Sequence, residues 1–167
     1  MRTIKILTGL SAGILLALAG GAQAATKTDT FVVSATVNAN CFVDATDMTF
    51  PGFDGSANVA GTSNIEVRCT SGAAYNLYLN VGTAGGSFAA RALSDGGGPT
   101  LAYNLYRNLA HTEIWADSTG LFVSGTGAGL GNPQAIDHAV YGLIPAAGNE
   151  TVPGGNYSST IQVTVEY

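Results

Sequence analysis

The chain has 167 residues, 46% of them apolar and only 10% charged, with 11 Asp and Glu against 6 Lys and Arg. That apolar fraction suffices for one packed domain and excludes a disordered chain. A formal charge of −5 with no cluster of cations excludes the phosphate-neutralising surface of a nucleic-acid binder. Twenty-three glycines among many Ala, Thr, Ser and Asn depress helix formation and supply turns, so the composition points to an all-β chain.

In chain order the first feature is a secretion signal over residues 1–24. Arg2 and Lys5 make a basic start, and Ile6 to Leu18 is an apolar run too short to span a bilayer. Ala22-Gln23-Ala24 then supplies the small-x-small pattern a signal peptidase accepts. Removal of the signal leaves four cations against eleven acids, a formal charge of −7. No later stretch approaches the roughly 18 consecutive apolar residues of a membrane span, so the exported chain is expected to be soluble or assembled. Export also sets the fate of Cys41 and Cys69, the only two cysteines: an oxidising compartment predicts one disulfide. Two metal-binding thiols are the alternative, but no further Cys or His stands at ligand spacing.

Period-2 alternation marks the strands. Phe31, Val33, Ala35 and Val37 alternate with Val32, Ser34 and Thr36, and Ile65, Val67 and Cys69 with Glu66 and Arg68. Tyr75, Leu77, Leu79 and Val81 come next, then Leu101, Tyr103 and Leu105, then the apolar run from Ala139 to Ile144. The last segment is the cleanest, with Ile161, Val163, Val165 and Tyr167 opposite Gln162, Thr164 and Glu166. Gly-rich breaks at 82–86, 95–99, 120–131 and 153–155 are spaced as sandwich turns rather than linkers. The expectation is six to seven strands in one β-sandwich. Its best strand stands last and another alternating strand stands just after the cleavage site; a strand with one side unpaired recruits other chains.

Catalytic chemistry finds little support. His111 and His138 are the only histidines, and Asp137 beside His138 on one strand would point to the opposite face. Gly125, Gly127, Gly129 and Gly131 recur at every second residue but match no phosphate-binding pattern, so they read as a flexible loop. Asn149-Glu-Thr151 and Asn156-Tyr-Ser158 satisfy the glycosylation sequon by chance. Trp115 with Tyr103 and Tyr106 could form a sugar platform, although core packing or a fibre contact fits better. No enzyme activity, catalytic residue, metal or cofactor is expected.

The alternating segment running into Cys41, Leu101 to Asn108 (LAYNLYRN), His111 to Trp115 (HTEIW), and Gly155 to Tyr167 (GNYSSTIQVTVEY) together resemble the spore coat protein U domain family. That family includes the major subunits of Csu-type archaic chaperone–usher pili. The resemblance implies an incomplete immunoglobulin-like sandwich whose final strand is donated by a neighbouring subunit. It further implies a periplasmic chaperone that first fills the groove, an outer-membrane usher, and a head-to-tail fibre of identical or homologous subunits on the cell surface, used in adhesion and biofilm formation. On this likeness residues 25–40 are the donor extension, with Phe31, Val33, Ala35 and Val37 entering groove pockets, and residues 41–167 are the sandwich. Ile161, Val163, Val165 and Tyr167 would form the accepting edge strand, and Cys41 and Cys69 the subunit disulfide. Glu166 stands where conventional pilins commonly carry an aromatic, with Tyr167 following it, a departure that favours the archaic branch. A secreted coat or matrix protein of the same fold, self-complemented or assembled without an usher, is the alternative, and a fibre-tip adhesin or carbohydrate-binding module ranks third. Neither nucleic acid nor a small-molecule substrate is expected as a partner.

Overall fold

The computed structural model describes residues 24–118 and 120–167, so the expected signal segment lies outside the described residues except for Ala24. The chain divides into a segment ending at Ala35 and a unit from Thr36 to Tyr167. The second unit is all-β among the described residues, apart from a single 3-10 turn at Asn132–Gln134 with Pro133 as its second residue.

Among the described residues eight strands form two antiparallel sheets, one or two more than the six to seven expected. They are β1 (Cys41–Ala45), β2 (Val59–Cys69), β3 (Ala74–Leu79), β4 (Arg91–Leu93), β5 (Leu101–Tyr106), β6 (Val123–Thr126), β7 (Ile136–Ile144) and β8 (Val163–Glu166). The larger sheet runs β1-β2-β7-β5-β4 and the smaller β6-β3-β8. This is an incomplete immunoglobulin-like sandwich. Alternation works as the sequence requires: Ile65, Val67 and Cys69 of β2 are buried with Tyr75, Leu77 and Leu79 of β3, and they meet Leu101, Tyr103, Leu105, Val140 and Ile144 in one core. Cys41 and Cys69 are direct cross-strand partners and form the expected disulfide.

Three strands were not marked by the alternation. β1 begins at Cys41, beyond the alternating segment, and β4 has three residues, too few to show a period. β6 lies inside the Gly-rich stretch expected to be a loop. There the glycines serve close approach: a Cβ on Gly125 would run into the Tyr75 ring, and one on Gly127 into the Cys69 and Thr70 main chain. Residues 24–40, by contrast, carry no strand, and Phe31, Val33 and Val37 are 88%, 82% and 83% exposed. Alternation reports which side chains share a face, but a ladder forms only where a partner strand is present.

A polar cluster fixes one end of the core. Arg91 is fully buried and makes no ion pair with a carboxylate among the described residues; its guanidinium donates instead to carbonyls: Nε to Asn80 O at 3.1 Å, and Nη2 to Asn80 O at 3.0 Å and Trp115 O at 2.6 Å. Nη1 donates to Asn104 Oδ1 at 2.7 Å, and Asn104 Nδ2 holds the carbonyls of Phe88 and Ala89. Burial lowers the Arg91 pKa from the ordinary arginine value. Trp115 is fully buried and donates from Nε1 to Leu77 O at 3.0 Å, which makes it a core residue and no sugar platform.

Candidate functional site

A cleft of about 1060 Å³ opens into the core between residues 45–55 and residues 152–163. Its floor is the core itself, with Ile65, Leu79, Leu101, Tyr103, Leu105, Val140 and Ile144 contributing from both sheets. One wall carries Met48, Phe50 and Phe53, and the other Val152, Tyr157, Ile161 and Val163. An apolar trough entering the core of a small domain is space that a further apolar element would fill.

The Ile161 wall is bonded on one side only. Val163 faces Leu79 and Val165 faces Leu77 in the β8–β3 register, and Asn80 N–H donates to Gln162 O at 3.1 Å. Main-chain groups alternate sides along a strand, so Gln162, Thr164 and Glu166 bond toward β3 while the N–H and C=O of Ile161, Val163 and Val165 point away from it. No strand pairs with that far side of β8 among the described residues. The same reasoning applies to β1. Thr70 N–H donates to Asn40 O and Thr46 N–H to Asn64 O, so Cys41, Val43 and Ala45 turn their main-chain groups away from β2. β1 and β8 approach one another without forming a ladder, and Tyr167 OH reaches Asn40 Oδ1 only at 3.4 Å.

Of the four residues expected at the accepting edge, Ile161 and Val163 line the cleft. Val165 packs on the core beside it, and Tyr167 is 56% exposed. Tyr78 OH donates to Glu166 on the outer face of the same sheet, at 2.9 Å. Asn149, the first sequon residue, is buried: its Nδ2 donates to the carbonyls of Ala102 and Pro145, and its Oδ1 accepts from Ala102 N–H. It therefore shapes the floor end of the cleft rather than carrying a glycan.

Among the described residues the two histidines and Asp137 are held apart from one another. His138 turns inward, with its Nε2 2.8 Å from Tyr75 OH, while Asp137 turns outward and accepts from Asn64 Nδ2 at 2.6 Å. Burial pushes the His138 pKa down and the Tyr75 pKa up. His111 stands in a tight turn with φ 53° and packs edge-on against Tyr106 at 5.2 Å. Among the described residues no group of three His, Cys, Asp or Glu could hold a metal ion.

Fold and cleft together define a sandwich domain that is one strand short of closure. The Spore Coat Protein U domain family matches residues 27–164, and the chain belongs to that family. No curated protein sequence matches it. Among solved structures it is similar to a chain in the "CsuC-CsuE chaperone-tip adhesion subunit pre-assembly complex from archaic chaperone-usher Csu pili of Acinetobacter baumannii", at 23% identity with a TM-score of 0.57. The match covers 79% of this chain and 40% of that one, so this chain spans less than half the length of its structural neighbour.

Proposed function

We propose that this protein is a structural pilus subunit, exported to the periplasm and assembled through a chaperone and an outer-membrane usher into a surface fibre for adhesion and biofilm formation. Each subunit accepts, between β1 and β8, the extension of the next copy. The observation that carries this reading is the apolar cleft bordered by the unbonded main-chain edge of β8. Phe31, Val33, Ala35 and Val37 supply side chains of the matching kind, at the spacing a strand needs to present one face. Burying Phe31, Val33 and Val37 contributes roughly 1.5–3 kcal/mol each, and a main-chain ladder adds about 1 kcal/mol per bond. The gross gain is of order 10 kcal/mol before ordering costs, enough to hold a fibre together. Cys41 and Cys69 anchor the extension to its own domain, so the donated strand remains tethered. The similarity to a chaperone–subunit complex supports a chaperone as the first occupant of the groove.

Val33→Asp tests this. A carboxylate in an apolar pocket is costly, so the variant is expected to be secreted and folded but to form no multimers. Multimers at the native level would remove Val33 from the donor face.

A further inference from the structure

The two walls of the cleft are held in different ways. The Ile161 wall is tied by its main chain: Asn80 N–H donates to Gln162 O, Thr83 N–H to Thr160 O, and Ser94 and Ser158 exchange both of their bonds. Gly82, at φ 93°, lies so close that a Cβ there would meet Ile161 Cδ1 at 2.9 Å. The opposite wall, residues 47–57, makes no main-chain to main-chain hydrogen bond among the described residues. Side chains hold it, and two of them have a built seat.

That seat is a pair of glycines. Gly61 of β2 and Gly142 of β7 are direct cross-strand partners, both on the core face, and the missing side chains leave a hollow that Met48 and Phe50 enter. A Cβ on Gly61 would stand 3.0 Å from Phe50 Cδ1 and 3.3 Å from Met48 Cγ, and one on Gly142 would stand 2.7 Å from Phe50 Cζ and overlap Met48 Sδ. Phe50 also meets Tyr103 edge-on at 6.1 Å. Both Met48 and Phe50 remain only partly buried and line the cleft. A segment without ladder bonds, held by partly exposed apolar contacts, is the part of a domain that opens at least cost.

We infer that Phe50 is the latch of the groove: seated in the Gly61–Gly142 hollow, it holds the 47–57 wall closed, and its release sets the rate at which the extension of a second copy enters. The inference rests on the strand-donation reading above. A fixed wall would add contacts to an incoming strand, so its removal would slow or weaken entry. A latch competes with entry, so its removal speeds it.

The experiment follows capture of a fluorescent peptide of residues 25–40 by the purified exported chain, read as anisotropy against time. Far-UV circular dichroism and a thermal midpoint establish that each variant is folded. Phe50→Ala is expected to raise the capture rate about tenfold, equivalent to about 1.4 kcal/mol of barrier. Phe50→Leu is expected to give a smaller increase. Gly142→Ala, which intrudes on the seat from the other side, is also expected to accelerate capture, and these last two variants decide the matter if Phe50→Ala does not fold. Capture that is unchanged or slower in the folded variants overturns the latch and makes Phe50 a fixed wall. If the folded native chain captures no peptide at all, the strand-donation reading fails and the latch falls with it.

Discussion

Around Arg91 each side-chain nitrogen has an acceptor, whereas along β8 the main-chain groups of Ile161, Val163 and Val165 face no strand among the described residues. Both regions border the same core; Arg91 itself stands outside the blocks that resemble the family, while its partners Asn104 and Trp115 and all of β8 lie within them. The difference shows how the domain divides stability from assembly. The Arg91 end gathers the carbonyls of Leu79, Asn80 and Trp115 and the Asn104 amide around a buried cation, an arrangement that tolerates no exchange of partners because an uncompensated buried charge is costly. The β8 side keeps unused hydrogen-bonding capacity beside an apolar trough, the combination that the proposed strand donation would use.

The contrast breaks first at Arg91. Arg91→Met would remove the cation and take from Asn104 Oδ1 and the carbonyls of Asn80 and Trp115 the donors that Arg91 supplies, at an expected cost of about 3–5 kcal/mol. Urea denaturation measures it, and a loss below about 1 kcal/mol would mean that the cluster is not what closes this end. The disulfide ranks next. It joins β1 to β2 at the edge beside the groove, across a separation of 28 residues, and Cys41→Ser with Cys69→Ser is expected to cost about 3 kcal/mol. A denaturation midpoint indifferent to reductant would contradict that. The smallest effect is the pH dependence of the closed interior. Burial depresses the His138 pKa below its ordinary 6.5, so the folded state prefers the neutral ring. The corresponding stability is present above that value and is lost as pH falls below it, toward the folded pKa. Thermal midpoints should therefore decline on acidification through that window, and His138→Gln should flatten the decline; an equal slope in both proteins would assign it to other groups.

The sequence was most legible where side chains alternate over several residues. Ile65 to Cys69, Tyr75 to Leu79 and Leu101 to Tyr106 lie in strands of the core because burial on one face leaves a period of two. The paired cysteines were legible for a different reason, since two thiols in an exported chain have one partner each. β4 and β6 were hidden. β4 is three residues long and centred on a buried cation network that no pattern of hydrophobicity encodes, and the glycines of β6 exist to admit the Tyr75 ring and the Cys69 main chain. The cleft was legible only in part. Ile161 and Val163 announce themselves by alternation, but Phe50 stands in an irregular segment between β1 and β2, and its seat is defined by two glycines 81 positions apart in sequence that only the β2–β7 register brings together.

The central claim is that the unbonded edge of β8 is completed by a strand from another copy. Its most direct test is an SDS gel of surface-sheared material, run boiled and unboiled, for the full chain and for a chain lacking residues 27–37. The account predicts a heat-labile ladder that disappears with the deletion. A single monomer band in every lane would contradict it and leave a self-contained secreted sandwich in its place.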